Sequence, residues 1–126
     1  MKYAVSISDK DDRCILTFDL IDLVKLLEPF LVDSRWICSN VEAVGETAGE
    51  LDSTAVKNID SKTLKRISSG LIQVIDGTFT AFRSGQQHPW LVIRAVDSAA
   101  YDIETDDRRV IDTISKRFQN VITLPA

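Results

Sequence analysis

The chain begins with polar and apolar residues in alternation: Tyr3, Val5 and Ile7 fall on one face of an extended segment. The polar run SDKDDR follows, and then a second apolar run from Cys14 to Phe18. A period of two marks a half-buried strand, so these runs predict two short strands around a turn. From Asp19 the period changes. Leu20, Leu23, Val24, Leu27 and Leu31 recur at three- and four-residue steps, which predicts one apolar helix face. Asp19 suits the N-cap, and Asp22 adds negative charge near the positive end of the helix dipole. Pro29 should stop the helix, because proline lacks the N–H that the ladder needs.

Trp36 to Val44 is rich in β-branched and aromatic residues and predicts a strand. GETAGELDST then loses all periodicity and predicts a surface loop. Asp60 and Ser61 offer a second N-cap ahead of a short helix carrying Leu64 and Ile67, with Gly70 expected to close it in a left-handed conformation. Next come a strand over Leu71 to Ile75, a hairpin turn at Asp76-Gly77 and a return strand over Thr78 to Arg83. SGQQHP reads as a loop, Trp90 to Val96 as a strand, Asp97-Ser98 as a turn and Tyr101 to Thr105 as a further strand. A helix from about Asp106 to Phe118 presents Val110, Ile111, Ile114 and Phe118, Asn120 marks its end, and VITL closes as an edge strand. Such short connections favour antiparallel neighbours. The pattern predicts an α+β fold: an antiparallel β meander over about residues 71–105, packed against helices as a single pair of layers.

Composition narrows the class. At 126 residues the chain fits one globular domain, 1–126, and 44% hydrophobic with 27% charged residues is ordinary for a soluble protein. No apolar run approaches the roughly 20 residues that span a bilayer, and the N-terminus lacks the apolar core of a secretory signal. Cys14 and Cys38 lie far apart without metal-type spacing, so both are expected as reduced, buried thiols in the cytoplasm. The net charge is −4, and the densest basic group is Lys57, Lys62, Lys65 and Arg66. Binding to nucleic acid needs clustered Lys and Arg that displace counterions, so neither nucleic acid nor membrane is an expected partner. An acidic balance suits a basic partner. The sequence sets no oligomeric state.

Candidate chemistry concentrates between Ser84 and Asp107. His88 is the chain's only histidine, and it needs a nucleophile to activate or further ligands to hold a metal. Trp90 suits either core packing or an interface anchor. Arg94 interrupts an apolar strand and should face a carboxylate, Asp102 or Glu104, on the next strand. The acids form the densest cluster: Asp97, Asp102, Glu104, Asp106, Asp107 and Asp112. They approach a metal-nuclease pattern of Asp followed by Glu-x-Lys, but Asp106 stands where the lysine belongs. Asp106 and Asp107 suit the start of a helix. The chain has no glycine-rich phosphate loop and no Gly-x-Ser-x-Gly elbow. No catalytic residue, metal ligand or cofactor is expected.

Small size, acidity, the closing segment YDIETDDRRVIDTISKRFQNV and the lack of catalytic spacing resemble the small immunity proteins with which bacteria neutralise their own toxins. The resemblance implies binding to a cognate basic toxin domain, a nuclease in many cases, with negative charge steering the encounter. It implies contacts from Asp97, Asp102, Glu104, Asp106 and Asp107, with His88, Trp90, Tyr101 or Trp36 as anchors. The alternative is a small carboxylate-dependent hydrolase or metal-dependent phosphoesterase built on Asp97, Asp102, Glu104 and His88.

Overall fold

The computed structural model describes residues 1–51 and 55–125. Strand β1 (Tyr3–Ile7) leads to helix α1 (Leu20–Leu27) and a 3-10 turn (Glu28–Phe30). Then come β2 (Ser34–Gly45), a 3-10 turn (Ala48–Leu51), β3 (Ala55–Asp60) and α2 (Ser61–Ser69). The chain finishes with β4 (Leu71–Arg83), β5 (Leu91–Val96), β6 (Ala100–Thr105), α3 (Arg108–Arg117) and β7 (Val121–Thr123). The seven strands form one sheet in the order β3-β2-β4-β5-β6-β1-β7, and every pairing is antiparallel. The fold is α+β. β4, β5 and β6 are the expected meander, and β7 is an edge strand as the sequence indicates.

The helices start where their caps dictate. Asp19 caps α1, its carboxylate accepting from the Leu20 N–H at 2.8 Å, while Asp22 accepts from the Asp19 N–H at 2.8 Å to complete a capping box. Asp60 caps α2 through the Thr63 N–H, and Asp107 caps α3 through the Arg109 N–H. Leu20, Leu23, Val24 and Leu27 of α1, Leu64 and Ile67 of α2, and Val110 and Ile114 of α3 are buried in one cluster. The same cluster takes in Val5, Ile7, Trp36, Phe79, Leu91, Ile93, Tyr101 and Ile103, which share one face of the sheet. Residues of the other face, among them Ala4, Ile37, Phe82 and Val92, do not belong to it. The helices therefore cover one face, and no described helix lies over the second, although Ala4 and Val92 on it are themselves buried. No helix among the described residues is long and apolar enough to cross a membrane.

Four local expectations need correction. Asp76-Gly77 is not a hairpin turn, because β4 runs unbroken through it. Gly77 is buried, and a Cβ there would meet Val41 Cγ2 at 3.1 Å and the Phe79 ring at 3.3 Å. It lies at a bulge where the β2–β4 register shifts between Ser39 and Glu42, so the glycine serves close approach instead of a reversal. Cys14 to Phe18 forms no strand beyond the isolated bridge of Lys10 with Leu16, since the Asp11 carboxylate captures the Arg13 and Ile15 N–H groups in a local turn. Gly70 closes α2 at φ −92°, outside the left-handed region. GETAGELDST is not wholly a surface loop: Ala48–Leu51 coils into a 3-10 turn that buries Leu51, while residues 52–54 lie outside the described residues.

Candidate protein-binding face

The stretch from Ser84 to Asp107 divides between the core and the surface. Trp90 is 6% exposed, and its Nε1 donates to Ser34 Oγ at 3.0 Å. Its carbonyl accepts from Thr105 Oγ1 at 2.8 Å, and the Arg83 guanidinium lies 3.9 Å from its ring centroid. Tyr101 is 1% exposed, and its hydroxyl donates to the Asp19 carboxylate. Burial, then the Asp19 charge, pushes the Tyr101 phenol far above its ordinary range. Trp36 is fully buried, with Nε1 on Ser61 Oγ at 2.9 Å. None of these three rings is available as a surface anchor. Their hydrogen-bonding groups are satisfied inside the fold, and their area is already spent on the core.

His88 is exposed in the loop after β4, beside a cleft of about 390 Å³ that is also lined by Asp33, Arg83, Trp90 and Asp106. Asp97 and Ser98 occupy the tight β5–β6 turn, with φ of 50° and 55°. The primed geometry suits the twist of the flanking strands. His88 and Asp97 thus lie in loops after different strands, and the described residues bring together no group of three or more His, Cys, Asp or Glu able to hold a metal.

The acids do not act as one patch, because arginines neutralise part of it. Glu104 pairs with Arg94 at 2.7 Å, the cross-strand ion pair expected for that guanidinium. Asp107 is 15% exposed and holds Arg109 at 2.7 Å, with Arg83 at 3.9 Å. The hydrogen bond from Arg109 keeps the Asp107 carboxyl below its usual range. Asp112 faces Arg108 at 4.0 Å. Asp97, Asp102 and Asp106 have no ion-pair partner among the described residues. Asp97 is exposed in its turn, Asp102 projects from β6 opposite Arg94, and Asp106 accepts only the Lys2 backbone N–H at 3.1 Å.

The open face arranges its side chains in rows across the strands. Ile37, Thr80, Val92, Glu104 and Ala4 stand in register, as do Ser39, Thr78, Arg94, Asp102 and Ser6, with Ile122 at the edge. Arg35 faces Phe82 at the end nearer the Ser84–Pro89 loop. Thr78, Thr80 and Phe82 were absent from the sequence-derived site. Their alternation with the buried Phe79 and Ala81 is the signal that marks them.

Both cysteines are free: Cys38 is buried, but Cys14 is exposed, contrary to the expectation of two buried thiols. Burial raises the Cys38 thiol to about 12. Comparison with known protein families, curated proteins and solved structures finds no match to this chain.

Proposed function

We propose that this protein is a binding module of the immunity type, which neutralises a cognate basic toxin domain by docking it on the open sheet face. One observation carries the reading. An antiparallel sheet with one face packed on helices leaves its other face without a helix over it, and Asp97, Asp102 and Asp106 along and beside that face form no ion pair among the described residues, although Asp102 has Arg94 as its cross-strand neighbour. Together with the net charge of −4, these carboxylates would speed the encounter with a basic surface. The cytoplasm is the compartment this role implies.

The anchors differ from those suggested by the sequence. Phe82, Thr80 and Ile37 replace Trp90 and Tyr101 as the contacts available on the face, while Arg94 and Glu104 form a fixed polar pair at its centre. Co-expression with the product of the adjacent gene tests the proposal. The cells should survive and the two chains should purify as a complex. Cell death, or phosphoester hydrolysis by the purified protein that is lost in Asp97→Asn, would replace the binding reading with an enzymatic one.

A further inference from the structure

A groove of about 450 Å³ opens where the first residues of β4 meet the cap of α1. Strand β5 pairs with β4 only over residues 77–81, so residues 71–74 have β2 on one side and no strand on the other. In place of a strand carbonyl, the Asp19 carboxylate accepts from the Val74 N–H at 3.1 Å, which fixes the two walls of the groove to each other. The buried Phe18 and Val74 form its base, while Ile15 and Ile72 line it at 54% and 78% exposure. Large apolar side chains left in water beside a cavity are what an interface covers. Asp19 and Asp22 line the same groove, and among the described residues no lysine, arginine or histidine does. Both carboxylates accept only from neutral donors: Asp19 from Leu20, Val74 and Tyr101, and Asp22 from Asp19. Hydrogen bonds and the dipole of α1 meet their charges in place of a cation. The cations nearest in sequence, Arg13 and Lys25, form no ion pair among the described residues.

We propose that this groove receives a segment of the partner protein in which an apolar side chain adjoins a lysine or arginine, with the apolar group against Ile15 and Ile72 and the cation at Asp19 and Asp22. The inference rests on the reading of this protein as the binder of a basic partner. Charge complementarity selects that occupant. An apolar lining alone would accept any hydrophobic segment, but two carboxylates without a cation set like charges against an acidic one. A second copy of this chain, at a net charge of −4, meets the groove with the wrong sign. Asp22 accepts the Asp19 N–H through one oxygen and keeps the other free. It can therefore take a charge-assisted hydrogen bond without releasing the cap of α1. Ser98 also lines the groove and follows Asp97, so a basic segment bound here continues onto the acid of the β5–β6 turn.

Three probes test the groove in the full-length, isotope-labelled protein: acetyl-leucyl-arginine amide, acetyl-leucyl-glutamate amide and acetyl-arginine amide, each added at constant ionic strength. The leucyl-arginine probe should give saturating shifts at the Ile15, Ile21 and Ile72 methyls and the Val74 amide, with none at Ile122 of β7. The other two should bind about tenfold more weakly or worse, because each lacks one of the two contacts. Ile72→Ser, at a site exposed enough to tolerate it, and Asp22→Asn, which keeps an oxygen for the Asp19 N–H, should each weaken the binding several-fold. Shifts that rise without saturation would overturn the proposal, as would equal binding of either control probe. So would dimerisation without any probe that shifts the same methyls, which would assign the groove to a second copy. A probe that fails while the co-expressed chains still purify together strikes the groove alone. A probe that binds while no complex forms strikes the toxin reading and leaves the chemistry of the groove in place.

Discussion

The Tyr101 hydroxyl donates to the Asp19 carboxylate across 82 residues of sequence, and this contact ties strand β6 to the cap of α1. Asp19 also accepts from the Leu20 N–H and from the Val74 N–H at 3.1 Å, so one carboxylate joins α1, β4 and β6. Tyr101→Phe should cost roughly 1–3 kcal/mol in denaturant unfolding, the usual loss for a buried hydrogen bond to a charged group.

The same contact sets an alkaline limit. The folded-state pKa of Tyr101 is raised, so its neutral form is favoured in the fold. That contribution is complete below the unfolded pKa of about 10 and is lost as pH rises above it. Thermal melts from pH 8 to 11 should show the parent losing stability above about 10. Tyr101→Phe, already less stable, should show a smaller further loss over that range. Parallel curves would remove the contact from the stability account.

Gly45 is required where β2 meets the start of β4. At φ +141°, a Cβ there would meet the Gly70 carbonyl oxygen at 2.6 Å and the Ile72 nitrogen at 2.7 Å, both backbone atoms that cannot swing aside. Gly45→Ala should destabilise by roughly 1–3 kcal/mol. Gly49→Ala, with nothing within 4 Å among the described residues, should be close to neutral. Chemical denaturation of the two variants side by side distinguishes them.

Cys14 should react with a thiol reagent in the native protein at pH 8, and Cys38 only after unfolding, because one is exposed and the other buried with its thiol raised to about 12. Two native-state equivalents would mean that the sheet opens at Cys38.

The three helices were legible because their caps and apolar faces are local signals. Asp19, Asp60 and Asp107 sit at their starts, and Leu23, Leu27 and Ile114 occupy their buried faces. The edge strand β3 was not legible. At an edge a strand needs few apolar residues, and its AVKNID sequence supplies little alternation. Gly77 misled for a different reason: one glycine signal serves a tight turn and a close strand crossing equally well. The placement of β1 between β6 and β7 depends on contacts about a hundred residues apart, which no local pattern carries. Within the candidate site the acids were visible as residue types. Arg94 was expected to pair with Asp102 or Glu104 and takes Glu104, whereas the Arg109 that silences Asp107 became visible only in three dimensions.

The most direct measurement is the association rate of this protein with the cognate basic toxin domain that the proposed function calls for, recorded by stopped flow at low and high salt. Reversing Asp97, Asp102 and Asp106 to lysine should slow association by about tenfold or more at low salt, with the difference shrinking as salt screens the charges. Reversing Glu104 and Asp107, whose charges Arg94 and Arg109 already offset, should slow it less at matched change in charge. If the first set binds as fast as the parent, or both sets lose rate equally per unit of charge, the open face with its uncompensated acids is not the docking surface.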